Sequence, residues 1–103
     1  MLKLGTKGLG EIMAGIYHFA VLGGDLRSAH LAIALAEGGD FVYAAGFDRF
    51  EFPTIVRNCN VQEAIERSDA VILPLPVSKD GITLFAPYSN ERLILSDEWA
   101  ELL

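Results

Sequence analysis

The feature that most constrains the fold of this chain is a corner at Gly23-Gly24-Asp25, where a short apolar run meets a helical pattern. Residues 17–22 (YHFAVL) have the composition of a buried strand. Residues 26–37 have the spacing of a helix that buries one face, formed by Leu26, Ala29, Ile33 and Ala36 and widened by Ala32 and Leu35. Two glycines and an acid between them predict a strand–turn–helix unit with Asp25 as the helix N-cap. In many proteins such a corner binds a phosphate.

The remaining elements follow from the same kinds of pattern. The spacing predicts strands over 41–46 and 70–73, a helix over 61–67 capped by Asn60, a short extended piece over 92–95 and a closing helix over 96–103 capped by Ser96. Gly38-Gly39 is expected to end the first helix, and Pro74 and Pro76 are expected to end the last strand.

Strands that alternate with helices predict an α/β fold, with three α/β/α layers around a small parallel sheet of the flavodoxin or Rossmann type. The final predicted element is a helix with no strand after it, which predicts a sheet that is incomplete at the C-terminus. Residues 1–15 contain four glycines and Glu11 and are expected to form a flexible leader, of which 1–12 are dispensable. Residues 16–103 are then the folded domain.

Composition excludes several classes of function. The net charge is −6 and the basic residues are scattered, which opposes a nucleic-acid interface and docking on an anionic membrane. No apolar run approaches the length of a transmembrane helix. The single cysteine, Cys59, cannot form an intramolecular disulfide, so a cytoplasmic location is expected. Two distant histidines and one cysteine do not have the spacing of a metal site.

The glycine corner does not have the spacing of a dinucleotide-binding motif. A G-x-G-x-x-G pattern that begins at Gly23 requires glycines where the chain has Asp25 and Ser28, and a pattern that begins at Gly24 fails as well. A carboxylate at position 25 would lie where the pyrophosphate must bind. The sequence therefore predicts that no dinucleotide binds at this corner.

A small anion is a better candidate for this part of the molecule. In a doubly wound sheet the carboxyl ends of the strands border the ligand crevice, so segments 23–28, 46–48 and 74–76 are expected to converge there. The candidate substrate-binding residues are Gly24, Asp25, Arg27, Ser28, Pro74, Leu75 and Pro76. Arg27 offers a fork of donors for a carboxylate. The alternatives are that Asp25 only caps the helix and that Arg27 is only a solvated surface residue.

The long segment 74–90 is the second informative region, because loops of this length are often functional. Its Ser78, Lys79 and Ser89 are candidates to reach a ligand. The alternative is an exposed hairpin over VSKDGITLF with Asp80-Gly81 as its turn. No pair of nucleophile and base can be named, so the catalytic residues stay unknown.

Taken together, four segments resemble the N-terminal domain of the A subunit of dipicolinate synthase. They are VLGGDLR at 21–27, AAGFD at 44–48, SDAVILPLPVSKDG at 68–81 and FAPYSNE at 85–91. The resemblance extends over residues 17–103. The combination of Gly-Gly-Asp-x-Arg with Pro-Leu-Pro and a following Asp-Gly is more specific than any one piece.

The resemblance implies the substrate-side domain of an NAD(P)-dependent oxidoreductase that forms dipicolinate from a dihydrodipicolinate-type precursor during sporulation. It implies that the cofactor motif lies in a C-terminal domain, so that this domain binds no cofactor alone. The implied partners are the flavoprotein-like B subunit of dipicolinate synthase and a small dicarboxylic acid. A homo-oligomer, such as a dimer, is also expected, because a small sheet with an open edge pairs readily with another chain. A non-catalytic oligomerisation module is the alternative, and a stand-alone nucleotide binder is a third possibility.

Overall fold

The computed structural model describes residues 2–4 and 18–95 of the chain. Its strands are β1 (Leu2–Leu4), β2 (His18–Leu22), β3 (Phe41–Ala45), β4 (Val56–Asn58) and β5 (Ala70–Ile72), and its helices are α1 (Leu26–Glu37) and α2 (Val61–Arg67). Strand β1 falls inside the predicted leader, whose limits stay a prediction. The predicted closing helix over 96–103 lies outside the described residues.

The five strands form one sheet in the order β1-β5-β2-β3-β4. Strands β5, β2, β3 and β4 are parallel, and β1 pairs antiparallel with β5. Numbered along the chain, the four parallel strands lie in the order 3-2-1-4, which is the order at the centre of a Rossmann sheet. The predicted α/β fold with a small parallel sheet is confirmed.

The helices cover opposite faces of this sheet, because the β2–β3 and β4–β5 crossovers run in opposite directions across it and right-handed crossovers then place their helices on opposite sides. On one face, α1 buries Ala29 and Ala32 among apolar side chains from the sheet and the loops, which are Phe19, Val21, Val42, Ala44, Phe47, Val56 and Ala70. On the other face, α2 packs with Ala20, Leu22, Tyr43, Ala45, Val71 and Leu84. Alanines on the central strands let the helices approach closely.

Local capping interactions define both helices as the sequence predicts. Asp25 is the N-cap of α1, and Asn60 caps α2 by accepting a hydrogen bond of 2.8 Å from the Glu63 amide. Gly38 ends α1. One expectation for the helix face is wrong: Leu26, assigned to the buried face of α1, is 46% exposed. It is the first residue of the helix, and the fully buried part of that face is Ala29 and Ala32.

The segment after β5 is ordered by a turn at Asp80 rather than by regular strands. The Asp80 carboxylate accepts hydrogen bonds from the Ile82 amide at 2.8 Å and the Thr83 amide at 2.7 Å. The Phe85 amide donates to the Val77 carbonyl at 2.8 Å, as across a hairpin. The far side of the turn pairs with residues 93–95 through the Thr83–Ile94 bridge.

This turn predicts a dependence of stability on pH. The backbone amides of Thr83 and Ile82 hold the pKa of Asp80 well below its usual value of 3.8. A carboxyl group whose pKa is lower in the folded than in the unfolded state stabilises the fold at pH values above its unfolded-state pKa. This contribution is lost as the pH falls toward the folded-state pKa. We expect the difference in Tm between wild type and Asp80→Asn to narrow as the pH is lowered from 5 to about 2.5. Thermal melts across this range would contradict the assignment if the difference stayed constant.

Candidate functional site

The corner after β2 brings the chain back across the carboxyl ends of the strands. Gly23 and Gly24 have φ angles of +65° and +105°, in a region that only glycine adopts easily. A Cβ built on Gly24 would lie 2.0 Å from the Ser28 hydroxyl oxygen and 3.3 Å from the Pro74 Cβ. The absence of a side chain at position 24 therefore lets the start of α1 approach the end of β5.

Asp25 and Arg27 form the polar wall next to this corner. The Asp25 carboxylate accepts a hydrogen bond of 3.0 Å from the Arg27 amide, which is the N-cap interaction of α1. The Arg27 guanidinium also donates to it, with an Nη2–Oδ2 distance of 3.1 Å. These side-chain hydrogen bonds lower the pKa of Asp25. The prediction that Asp25 caps α1 is confirmed, and the Arg27 amide is already bonded to this cap.

Arg27 also connects the two sides of the crevice. Its Nη2 donates to the Leu75 carbonyl oxygen at 3.3 Å, across 48 positions of sequence. The Nη1 group makes no hydrogen bond with any residue in the described ranges 2–4 and 18–95. The side chain is 76% exposed. Two fixed acceptors thus orient the guanidinium and leave one of its edges open.

A cavity of about 220 Å³ opens beside this arginine, between the carboxyl ends of β2 and β5. In the strand order 3-2-1-4 these neighbours correspond to strands 1 and 4, between which the strand order reverses and doubly wound sheets bind ligands. The lining residues are Asp25, Arg27, Ser28, Leu31, Ile72, Leu73, Pro74, Leu75 and Phe85. We call this cavity the cleft.

Five of the seven candidate residues from the sequence line the cleft, and Gly24 lies directly beside it. Pro76 follows Leu75 but does not line it. Their role in binding stays a prediction. Phe85 was not a candidate, because nothing local in the sequence indicates that this loop residue returns to the end of β5.

Segment 46–48, the third segment expected to border the crevice, lies at a different cavity. Gly46 and Asp48 line a second cavity of about 240 Å³, together with Cys59 and residues 89–91. Segment 46–48 therefore does not line the cleft, although Gly46 lies directly against Gly23 at the corner. The cleft is shared by the ends of β2 and β5.

Residues 84–90, which we call the crossing segment, separate the two cavities. The Gly24 amide donates to the Phe85 carbonyl at 2.7 Å, and the Arg49 amide donates to the Tyr88 carbonyl at 2.8 Å. The Asp48 carboxylate accepts hydrogen bonds from the Asn90 amide at 2.8 Å and the Ser89 hydroxyl at 3.2 Å. In Rossmann domains the corresponding corner and acid bind the pyrophosphate and ribose of a dinucleotide. Here the chain's own residues bind to both positions.

The two histidines and the cysteine do not form a catalytic group in the described part of the chain. His18 Nδ1 lies 2.8 Å from the Tyr43 hydroxyl, and His30 is exposed on α1. Cys59 is half-buried, and burial raises the pKa of its thiol. Within residues 2–4 and 18–95, no cluster of side chains could hold a metal ion. No helix of that part of the chain has the length and apolarity needed to cross a bilayer.

A sequence model of the family described as the N-terminal domain of the dipicolinate synthase A subunit matches residues 18–103. The chain belongs to this family. The predicted resemblance to the A subunit of dipicolinate synthase is thereby confirmed over nearly the same residues. No curated protein matches the chain.

Two solved dipicolinate synthases have a similar structure. The A subunit from Bacillus halodurans is 25% identical with a TM-score of 0.71, over 85% of this chain and 31% of that one. The corresponding dipicolinate synthase chain from Bacillus subtilis is 27% identical with a TM-score of 0.73, over 85% of this chain and 30% of that one. The chain thus spans about a third of the length of these dipicolinate synthases.

Proposed function

We propose that this domain forms the substrate-side wall of a dipicolinate synthase, which oxidises a dihydrodipicolinate-type precursor to dipicolinate with NAD(P). The observation that carries the proposal is the cleft, where Arg27 on α1 faces Pro74 and Leu75 after β5. The product named by the family, dipicolinate, is a flat ring with two carboxylates. The open edge of the Arg27 guanidinium suits one of these carboxylates.

The size of the cleft supports a small ligand. Complete ligand pockets typically enclose about 300–1,000 Å³, whereas the cleft has about 220 Å³. A cleft of this size suits one face of a single-ring acid, and a second domain would cover the other face of the ring. Apolar side chains from Leu31 and Phe85 supply contact area for a ring, and the Ser28 hydroxyl offers a hydrogen bond at the helix start.

The crossing segment supports the proposal that the nucleotide is held by another domain. Its Phe85 carbonyl and Asn90 amide bind where a dinucleotide would need the Gly24 amide and the Asp48 carboxylate. The similar dipicolinate synthases are about three times as long as this chain. A C-terminal domain that brings NAD(P) to the cleft, a flavoprotein-like B subunit and a sporulation role in the cytoplasm are parts of this proposal.

Replacement of Arg27 by alanine tests the assignment. We expect pyridine-2,6-dicarboxylate to bind the chain weakly, with Kd on the order of 1 mM, because half a cleft buries only part of the ligand. Arg27→Ala should weaken binding by about tenfold, since it removes a charge-assisted hydrogen bond. Amide chemical shifts measured by NMR, in buffer free of divalent cations, report both the affinity and the place of binding.

Arg57→Ala is the matched control, because Arg57 is also exposed but lies on edge strand β4, away from the cleft. It should leave the affinity unchanged. Equal affinities for wild type and Arg27→Ala would contradict the role of Arg27. Shifts concentrated at Asp48 and residues 89–91 would instead place the ligand in the second cavity.

A further inference from the structure

Phe85 connects the cleft to a positive charge that the cleft lining does not include. Phe85 lines the cleft together with Arg27, and it also lines a neighbouring depression together with Lys79. The Lys79 ammonium lies over the Phe85 ring, 4.9 Å from the ring centroid. This cation–π contact places a second cation beside a residue that the cleft and the depression share.

The charge of Lys79 is not neutralised by the acid next to it in sequence. The Asp80 carboxylate accepts from the Ile82 and Thr83 amides and pairs with Arg92 at 3.6 Å. Among the residues that the structure describes, Lys79 has no carboxylate within 4.0 Å. A lysine held by an aromatic face rather than by an acid stays available to an anion.

We infer that Lys79 is the second carboxylate-binding residue of the cleft and selects ring dicarboxylates over monocarboxylates. This inference rests on the proposed function, because it needs Arg27 to bind the first carboxylate. The two cations then act on the two acidic groups of one ligand, and the Phe85 side chain contacts its ring. A monocarboxylate binds Arg27 alone, because it lacks a second carboxylate for Lys79 to bind.

The chemistry of the two cations fits this division. Arg27 is oriented by Asp25 and the Leu75 carbonyl, so it can define the position of one carboxylate. Lys79 is exposed and has a flexible four-carbon stem, so its ammonium can leave the ring face for a carboxylate at the ring edge. A fixed and a mobile cation together accept a ligand whose second carboxylate varies slightly in position.

The experiment compares two ligands that differ by one carboxylate, pyridine-2,6-dicarboxylate and pyridine-2-carboxylate, by NMR titration of the full chain. Lys79→Gln should weaken the dicarboxylate about tenfold and change the monocarboxylate by less than about twofold. Lys79→Arg should restore most of the preference because it restores the charge. Arg57→Gln, which removes an exposed charge far from the cleft, should change neither affinity.

The outcomes separate this inference from the proposed function. If Lys79→Gln leaves the ratio of the two affinities unchanged while Arg27→Ala weakens both ligands, the role of Lys79 is overturned and the proposed function stands. If wild type binds neither acid, or if Arg27→Ala has no effect, both are overturned. A ratio that falls in Lys79→Gln and recovers in Lys79→Arg supports the inference.

Discussion

Phe47→Ala is expected to lower the free energy of unfolding by about 3–5 kcal/mol, the usual cost of removing a fully buried aromatic ring. Phe47 is 0% exposed, and its ring contacts Phe52 at a centroid distance of 5.2 Å and Tyr88 at 6.3 Å. The ring thus joins the loop after β3 to the crossing segment. Urea denaturation followed by circular dichroism would measure the loss.

The matched control for this substitution is Phe41→Ala, because Phe41 is 54% exposed and should cost less than about 1 kcal/mol. Phe47→Leu retains most of the buried volume and should cost about half as much as Phe47→Ala or less. This milder variant keeps the test usable if Phe47→Ala does not fold. Similar losses for Phe47→Ala and Phe41→Ala would contradict the assigned burial.

Gly23→Ala is expected to destabilise the fold by about 2–5 kcal/mol, from the left-handed backbone and from overpacking together. The φ of Gly23 is +65°, and an added Cβ would lie 2.8 Å from the Phe85 carbonyl oxygen and 3.0 Å from the Leu84 Cδ2. The crossing segment must therefore move. Hydrogen exchange should show lost protection of the Gly24 amide, which donates to Phe85.

Gly81→Ala separates the two causes. Gly81 has a φ of +81°, but an added Cβ would meet nothing within 4 Å. Its cost should be that of the backbone conformation alone, about 1–2 kcal/mol. Equal costs at the two glycines, with the Gly24 amide still protected, would show that the crossing segment does not pack against the corner as described.

The parts of the fold that were predictable from the sequence depend on neighbouring residues. Asp25 and Asn60 cap their helices through amides two or three positions away, and Gly38-Gly39 ends α1. The meeting of the corner with Pro74 follows from parallel strands that end at one rim. These features needed no knowledge of distant contacts.

The unpredicted parts depend on pairing between distant residues. Strand β4 is three residues long and buries only Val56, so it has no alternation that a pattern could reveal. Strand β1 pairs with β5, which lies far along the chain. The crossing segment is held by backbone groups, such as the Phe85 carbonyl, which every residue type possesses. The separation of Asp48 from the cleft was for this reason invisible in the sequence.

The crossing segment also sets what protein engineering at the glycine corner can achieve. Replacing Asp25 and Ser28 with glycine would complete the G-x-G-x-x-G motif that begins at Gly23. The Phe85 carbonyl would still accept a hydrogen bond from the Gly24 amide. The obstacle to a phosphate is main chain, which no side-chain replacement removes. Conversion of this domain into a nucleotide carrier would require rerouting residues 84–90, so signature matching is a poor guide to redesign here.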